Sequence, residues 1–186
     1  NSYLITFSIS LIVGSLLFFI GRNYSKGIAL TDQIIFILLG FLLIPALISI
    51  PYYLSIYDVG PLNAYFESVS GFTTTGFSII YNINDIDEPL LLWRSSSQWM
   101  GGLLFLLVTI GTIGSKQIKI KPAYLISGGA SGLNFYNNFN YNFIKILLIY
   151  FSITIFVIFL YSLTDLRLLD SVNLAFTSIS SGGFIP

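Results

Sequence analysis

The sequence predicts an all-α membrane protein built from repeated units, each with two spanning helices around a shorter helix and a loop, the repetition being incomplete within its 186 residues. Three observations carry this. Apolar residues make up 55 % of the chain and charged residues 9 %, against roughly 45–50 % and about 25 % in soluble domains. Four stretches approach the length of about 20 apolar residues that a helix needs to cross a bilayer. Between two of them, residues 67–78 read Glu-Ser-Val-Ser-Gly-Phe-Thr-Thr-Thr-Gly-Phe-Ser, and a similar hydroxyl and glycine run returns near the end of the chain.

The first span covers about 3–20 and, with no basic leader and no small-residue cleavage site, reads as a spanning helix and not a signal peptide. The second covers about 33–57, with Pro45 and Pro51 as expected kinks. The third covers about 90–113 and the fourth about 143–163. Residues 61–70 are too short to span. Pro61 suits a first helical position and Asn63, Glu67 and Ser70 share a face, which predicts a half-membrane helix roughly 16 Å long. The organisation expected is a leading helix and cytoplasmic loop at 1–30, a first unit at 31–115, a cytoplasmic linker at 116–141, and a second unit at 142–186 cut off after its loop. The absence of Met at position 1 points the same way, to an internal fragment.

Charge orients these spans. Arg22 and Lys26 follow the first, and Lys116, Lys119, Lys121 and Lys145 lie around the linker, whereas Asp58, Glu67, Asp85, Asp87 and Glu88 occur with no Lys or Arg among them. The excess of Lys and Arg places the first and third loops in the cytoplasm and the threonine-rich loop outside. The acids then sit at an outer mouth, where they raise local cation concentration, or form an ordinary solvated acidic loop. With zero net charge, nothing suggests a nucleic-acid partner; with no Cys and no His, disulfides, zinc sites and Cys or His catalysis are excluded.

Irregular backbone is tolerated at membrane depth only where protein buries it or it lines a water-filled cavity. An uncharged loop rich in carbonyl and hydroxyl oxygens supplies what a cation needs in place of its hydration shell. A short helix entering from outside directs its carbonyl end, and its partial negative charge, toward the membrane centre. The chain then returns in extended form, six residues at about 3.3 Å each spanning roughly 20 Å. Aiming successive carbonyls at one axis requires dihedrals that glycine adopts most readily, the role expected of Gly76 and Gly183. Thr73, Thr74 and Thr75 add hydroxyls in the first loop, Ser180 and Ser181 in the second. Neutral oxygens favour potassium over a divalent cation, whose sites usually recruit carboxylates. The bland alternative for the threonine run is a helix interface of small hydroxyl residues.

At a constant offset of 107, from Gly76 to Gly183, the two segments share Leu62 with Leu169, Gly76 with Gly183 and Phe77 with Phe184. Identity is sparse, but the order of spanning helix, short helix, hydroxyl run and Gly-Phe is kept. Three strings, Ser-Gly-Phe-Thr-Thr-Thr-Gly-Phe-Ser at 70–78, Trp-Arg-Ser-Ser-Ser-Gln-Trp-Met-Gly-Gly at 93–102 and Ala-Phe-Thr-Ser-Ile-Ser-Ser-Gly-Gly-Phe at 175–184, make the chain resemble the Trk/Ktr/HKT superfamily of potassium transporters. The first two strings, and the extra leading helix, resemble TrkH-type subunits in particular. The resemblance implies potassium-channel-like helix, pore-loop, helix units, four to a pore, in a multi-pass protein of the bacterial inner membrane. It implies a homodimer gated by a cytosolic nucleotide-binding TrkA-type subunit, with membrane lipid around it, potassium as substrate and no covalent cofactor. It also implies that Thr74, Thr75, Ser181 and Gly182 are the central potassium ligands, flanked by Thr73, Gly76, Phe77, Ser180, Gly183 and Phe184. Filter glycine in both units resembles potassium-selective members. The stretch Tyr-Leu-Ile-Ser-Gly-Gly-Ala-Ser-Gly at 124–132 departs from many TrkH-type linkers in having no acidic residue.

Other residues carry two readings. Arg94, between Trp93 and Trp99, is an interfacial anchor or a brace for the filter loop through its carbonyls. Gly101 and Gly102 are expected to permit close helix packing. Gly128, Gly129 and Gly132 lack the context of a phosphate loop and read as a turn. A polytopic membrane enzyme such as a lipid-modifying transferase, or a noncatalytic membrane subunit, remains the alternative to a pore. The enzyme would need a base, a metal site or paired carboxylates near membrane depth, and the centres of the four spans hold no acid.

Overall fold

The computed structural model describes residues 2–22, 30–56, 59–80, 83, 86–113 and 139–185. Among these the chain is helical, in the order α1 (Ser2–Gly21), α2 (Leu30–Ser55), α3 (Pro61–Phe72), α4 (Glu88–Ile113), α5 (Phe139–Ser162) and α6 (Leu168–Ser180). Ser2–Gly21, Ile34–Ser55 and Phe143–Ser162 are long and apolar enough to cross a membrane. At 1.5 Å per residue each reaches about 30 Å, the thickness of the hydrocarbon core. Large apolar side chains stay exposed on them, among them Leu4, Phe7 and Phe18 on α1 and Ile144, Leu148 and Ile155 on α5. Such a surface suits acyl chains and not water.

α3 and α6 have 12 and 13 residues, about 18–20 Å, which is too short to span. Pro61 opens α3 after Gly60, where its missing N–H is one of the donors that a helix start leaves free in any case. α2 stays helical through Pro45 and Pro51. Both rings are fully buried, so the prolines also serve packing.

The third expected span is present as α4, which differs from the other three in having a polar first half. In that half Arg94, Ser95, Ser97 and Gln98 are all buried. Protein surrounds that half: α4 packs on both α3 and α6, while α2 packs on α3 and α5 on α6. A core of Ile48, Tyr52, Ala64, Phe72 and Leu90 joins α2, α3 and α4, and Trp93 Nε1 ties α4 to α2 by donating to the Ile48 carbonyl at 3.1 Å. Trp99 joins α4 to the later helices, stacking on Phe176 of α6 with ring centroids 5.3 Å apart and donating to Thr154 Oγ1 of α5 at 3.0 Å.

Candidate functional site

The ends of α3 and α6 are built alike along the backbone. The Thr74 N–H donates to the Gly71 carbonyl and the Thr75 N–H to that of Ser70, both at 2.9 Å; Ser181 N–H to Ser178 and Gly182 N–H to Thr177 repeat the pattern at 3.2 and 2.9 Å. Thr74 and Ser181 have φ of 56° and 55°, and Gly76 and Gly183 have φ of 82° and 79°. Every matching pair keeps the same offset in the chain. The left-handed residue lets the chain fold back and satisfy carbonyls that a helix end leaves open.

A trans peptide is planar and its N–H and C=O point oppositely. The N–H groups of Thr74, Thr75 and Gly76 are turned back to α3, so the carbonyls of Thr73, Thr74 and Thr75 point away from it. By the same geometry the carbonyls of Ser180 and Ser181 point away from α6. The two strands meet at the glycines: a Cβ on Gly76 would overlap the Gly182 carbonyl oxygen, and Gly183 Cα would lie 3.3 Å from it. Thr73 Oγ1 donates to the Val69 carbonyl at 2.7 Å and Ser180 Oγ to that of Phe176 at 2.8 Å. Thr73 and Thr75 also pair their hydroxyls at 2.8 Å. The identical phenylalanines part company, for Phe77 is exposed whereas Phe184 is buried beneath Arg94, whose Cζ lies 4.2 Å from the ring centroid.

Behind the first strand lies a buried ion pair. Arg94 Nε and Nη2 donate to Glu67 Oε1 at 3.1 and 2.9 Å, with side-chain exposures of 4 % and 1 %. Glu67 also accepts from Ser78 Oγ and from the Ile79 N–H at 2.9 Å each, and Arg94 donates to Ser78 Oγ at 3.0 Å. Two expectations are thereby corrected. Glu67 is not an outer-mouth acid, because its carboxylate is enclosed and neutralised. Arg94 is not an interfacial anchor, and it braces the loop through a carboxylate and a hydroxyl instead of through carbonyls.

No family model matches the chain. It is 31 % identical over 172 residues to an uncharacterized cation transporter of Methanocaldococcus jannaschii, covering 85 % of this chain and 33 % of that protein. With the Trk system potassium uptake protein TrkI of Halomonas elongata it shares 30 % identity over 161 residues, 78 % of this chain and 30 % of that one. With the Trk system potassium uptake protein TrkH of Vibrio parahaemolyticus it shares 23 % over 185 residues, 98 % and 38 %. Over most of its own length the chain is similar to these transport proteins. It spans about a third of the length of these relatives. All three carry names of transporters or uptake proteins and none of an enzyme, which stands against the transferase reading.

Around these two loops, the polar face of α4 reaches both halves. Gln98 Nε2 donates to the Gly182 carbonyl at 2.6 Å and its Oε1 accepts from Thr177 Oγ1 at 3.1 Å. Ser95 Oγ donates to Asn173 Oδ1 at 2.6 Å. Gly101 and Gly102 have the packing role expected of them: a Cβ on Gly101 would overlap the Phe72 carbonyl oxygen, and one on Gly102 would lie 3.0 Å from Ser180 Cβ. Among the acids read as an outer group, Asp87 and Glu88 are exposed, while Asp58 and Asp85 lie outside the described residues. Glu88 pairs with Arg167 at 2.9 Å, joining the start of α4 to the start of α6. A hydrogen bond to Asp170, then the charges of Asp170 and Glu88, hold the Arg167 guanidinium above its usual range. Lys26, Lys116, Lys119, Lys121 and the glycines Gly128, Gly129 and Gly132 also lie outside the described residues.

The sequence reading missed Gln98, Ser78 and the pairing of Glu67 with Arg94. A signal was present: Arg94, three serines and Gln98 in succession on a membrane-length helix imply burial against polar partners. Nothing in the string names those partners.

Proposed function

We propose that the loops at 73–77 and 180–184 are two parts of a selectivity filter, through which the complete protein moves potassium across the membrane. The observation that carries this reading is the duplicated turn, with positive φ at the same two positions and carbonyls directed away from both short helices. Thr74, Thr75, Ser181 and Gly182 are the proposed central ligands, with Thr73, Gly76, Phe77, Ser180, Gly183 and Phe184 beside them. Ligands that are neutral oxygens replace the hydration shell of a weakly hydrated monovalent ion. The carbonyl ends of α3 and α6 add partial negative charge at the same place.

Within this reading the units occupy 31–115 and 142–186, preceded by a leading segment at 1–30 and joined by a linker at 116–141. Flux is proposed to be passive, down the electrochemical gradient. The complete protein is proposed as a multi-pass homodimer of the bacterial inner membrane, gated by a TrkA-type subunit and needing no covalent cofactor. The test is rubidium and sodium uptake into liposomes holding the full-length protein. A clear preference for rubidium is expected, and equal uptake of both ions would refute potassium selectivity.

A further inference from the structure

We propose that Gln98 is a positioning residue for ion selection: carried on α4, it fixes the direction of the Gly182 carbonyl in the strand that follows α6. The inference deepens the filter reading and rests on it.

The amide is fully buried, so water does not compete for either end. A backbone carbonyl only accepts, so the nitrogen of the amide must face Gly182 and the oxygen must face Thr177. The Thr177 hydroxyl, donating at 3.1 Å, holds that orientation. Contact is close along the whole amide, since a Cβ on Gly182 would collide with Gln98 Cδ, Oε1 and Nε2. A side chain at 182 would therefore displace the amide that rests on this strand.

The two repeats differ at this point. Ser70 occupies the position in the first repeat that Thr177 has in the second, and its hydroxyl donates to the carbonyl of Phe77 at 2.5 Å. The first strand is thus pinned by its own short helix. In the second, the corresponding hydroxyl is given to Gln98, and Gln98 pins the strand. In the account of selection by cavity size, a carbonyl held by a buried donor does not follow a smaller ion inward as a freely rotating one does. Because the Gly182 oxygen also lies against Gly76, the amide sets the approach of the two strands as well.

The experiment uses the full-length protein in liposomes, reading the ratio of rubidium to sodium uptake and the reversal potential in mixed potassium and sodium. Gln98→Leu keeps the volume and removes both hydrogen bonds; a fall in the ratio of roughly three- to tenfold is expected, the worth of one net hydrogen bond. Thr177→Val leaves Gln98 resting on Gly182 but frees the amide to turn, giving a smaller fall in the same direction. An unchanged ratio in folded Gln98→Leu overturns the proposal, even if its yield or thermal stability drops. If that variant does not fold, an unchanged ratio in Thr177→Val overturns it. An unselective wild type would instead refute the filter reading itself, so the two failures are distinct.

Discussion

Replacing Arg94 with methionine tests whether the pair behind the first strand is structural. The substitution keeps an apolar stem of similar reach and removes three hydrogen bonds, two to Glu67 Oε1 and one to Ser78 Oγ, together with the cation over the Phe184 ring. Glu67 keeps Ser78 Oγ and the Ile79 N–H, but its negative charge is left without a countercharge. With both side chains at most 4 % exposed, water does not take over. Breaking such a pair costs about 3–5 kcal/mol, against a total stability of roughly 5–15 kcal/mol for a folded domain. For a cooperative unit of about 150–250 residues this lowers the melting temperature by roughly 6–20 °C. The assay is thermal unfolding of the purified full-length protein in detergent, on Arg94→Met, Glu67→Gln and the double variant. The double variant removes the stranded charge and should recover part of the loss, so the two effects must be less than additive. A change below about 2 °C in Arg94→Met, where 1 kcal/mol is worth about 2–4 °C, or strict additivity, would refute the assignment.

Gly76→Ala and Gly183→Ala face the same backbone penalty of about 1–2 kcal/mol at positive φ. Only the first also drives a methyl into the Gly182 carbonyl, whereas at Gly183 the nearest atom is 3.8 Å away. Gly76→Ala should therefore lower the rubidium to sodium uptake ratio more, and equal losses would count against the crossing of the strands. Gly101→Ala should destabilise by about 1–3 kcal/mol, the usual cost of overpacking, since its methyl meets the Phe72 carbonyl. Thermal unfolding reads this, and a wild-type melting temperature would show that α3 and α4 are farther apart than described.

Much of the fold was legible because membrane spans depend on length and hydropathy alone. The expected 3–20, 33–57 and 143–163 appear as Ser2–Gly21, Ile34–Ser55 and Phe143–Ser162, and Pro61 marks the start of α3 as expected. Glycine at 76 and 183 was legible for a similar reason, since few other residues suit positive φ. Thr74 and Ser181 were not, because nothing in their chemistry favours the left-handed region. Glu67 misled because an acid is read as exposed unless its partner is known, and that partner lies 27 residues away on another helix. The different fates of Phe77 and Phe184 were equally hidden, since Phe184 is covered by Arg94 of α4, a contact that nothing in the string announces.

Left-handed backbone at Thr74 and Ser181 stores about 1–2 kcal/mol in each turn, held there by the hydrogen bonds that close the helix ends. Relaxation to negative φ would rotate the adjoining peptide planes and carry their oxygens off line. Wherever those closing bonds loosen, the outward direction of these carbonyls is lost with them, so the proposed filter geometry and the integrity of the short helices stand or fall together.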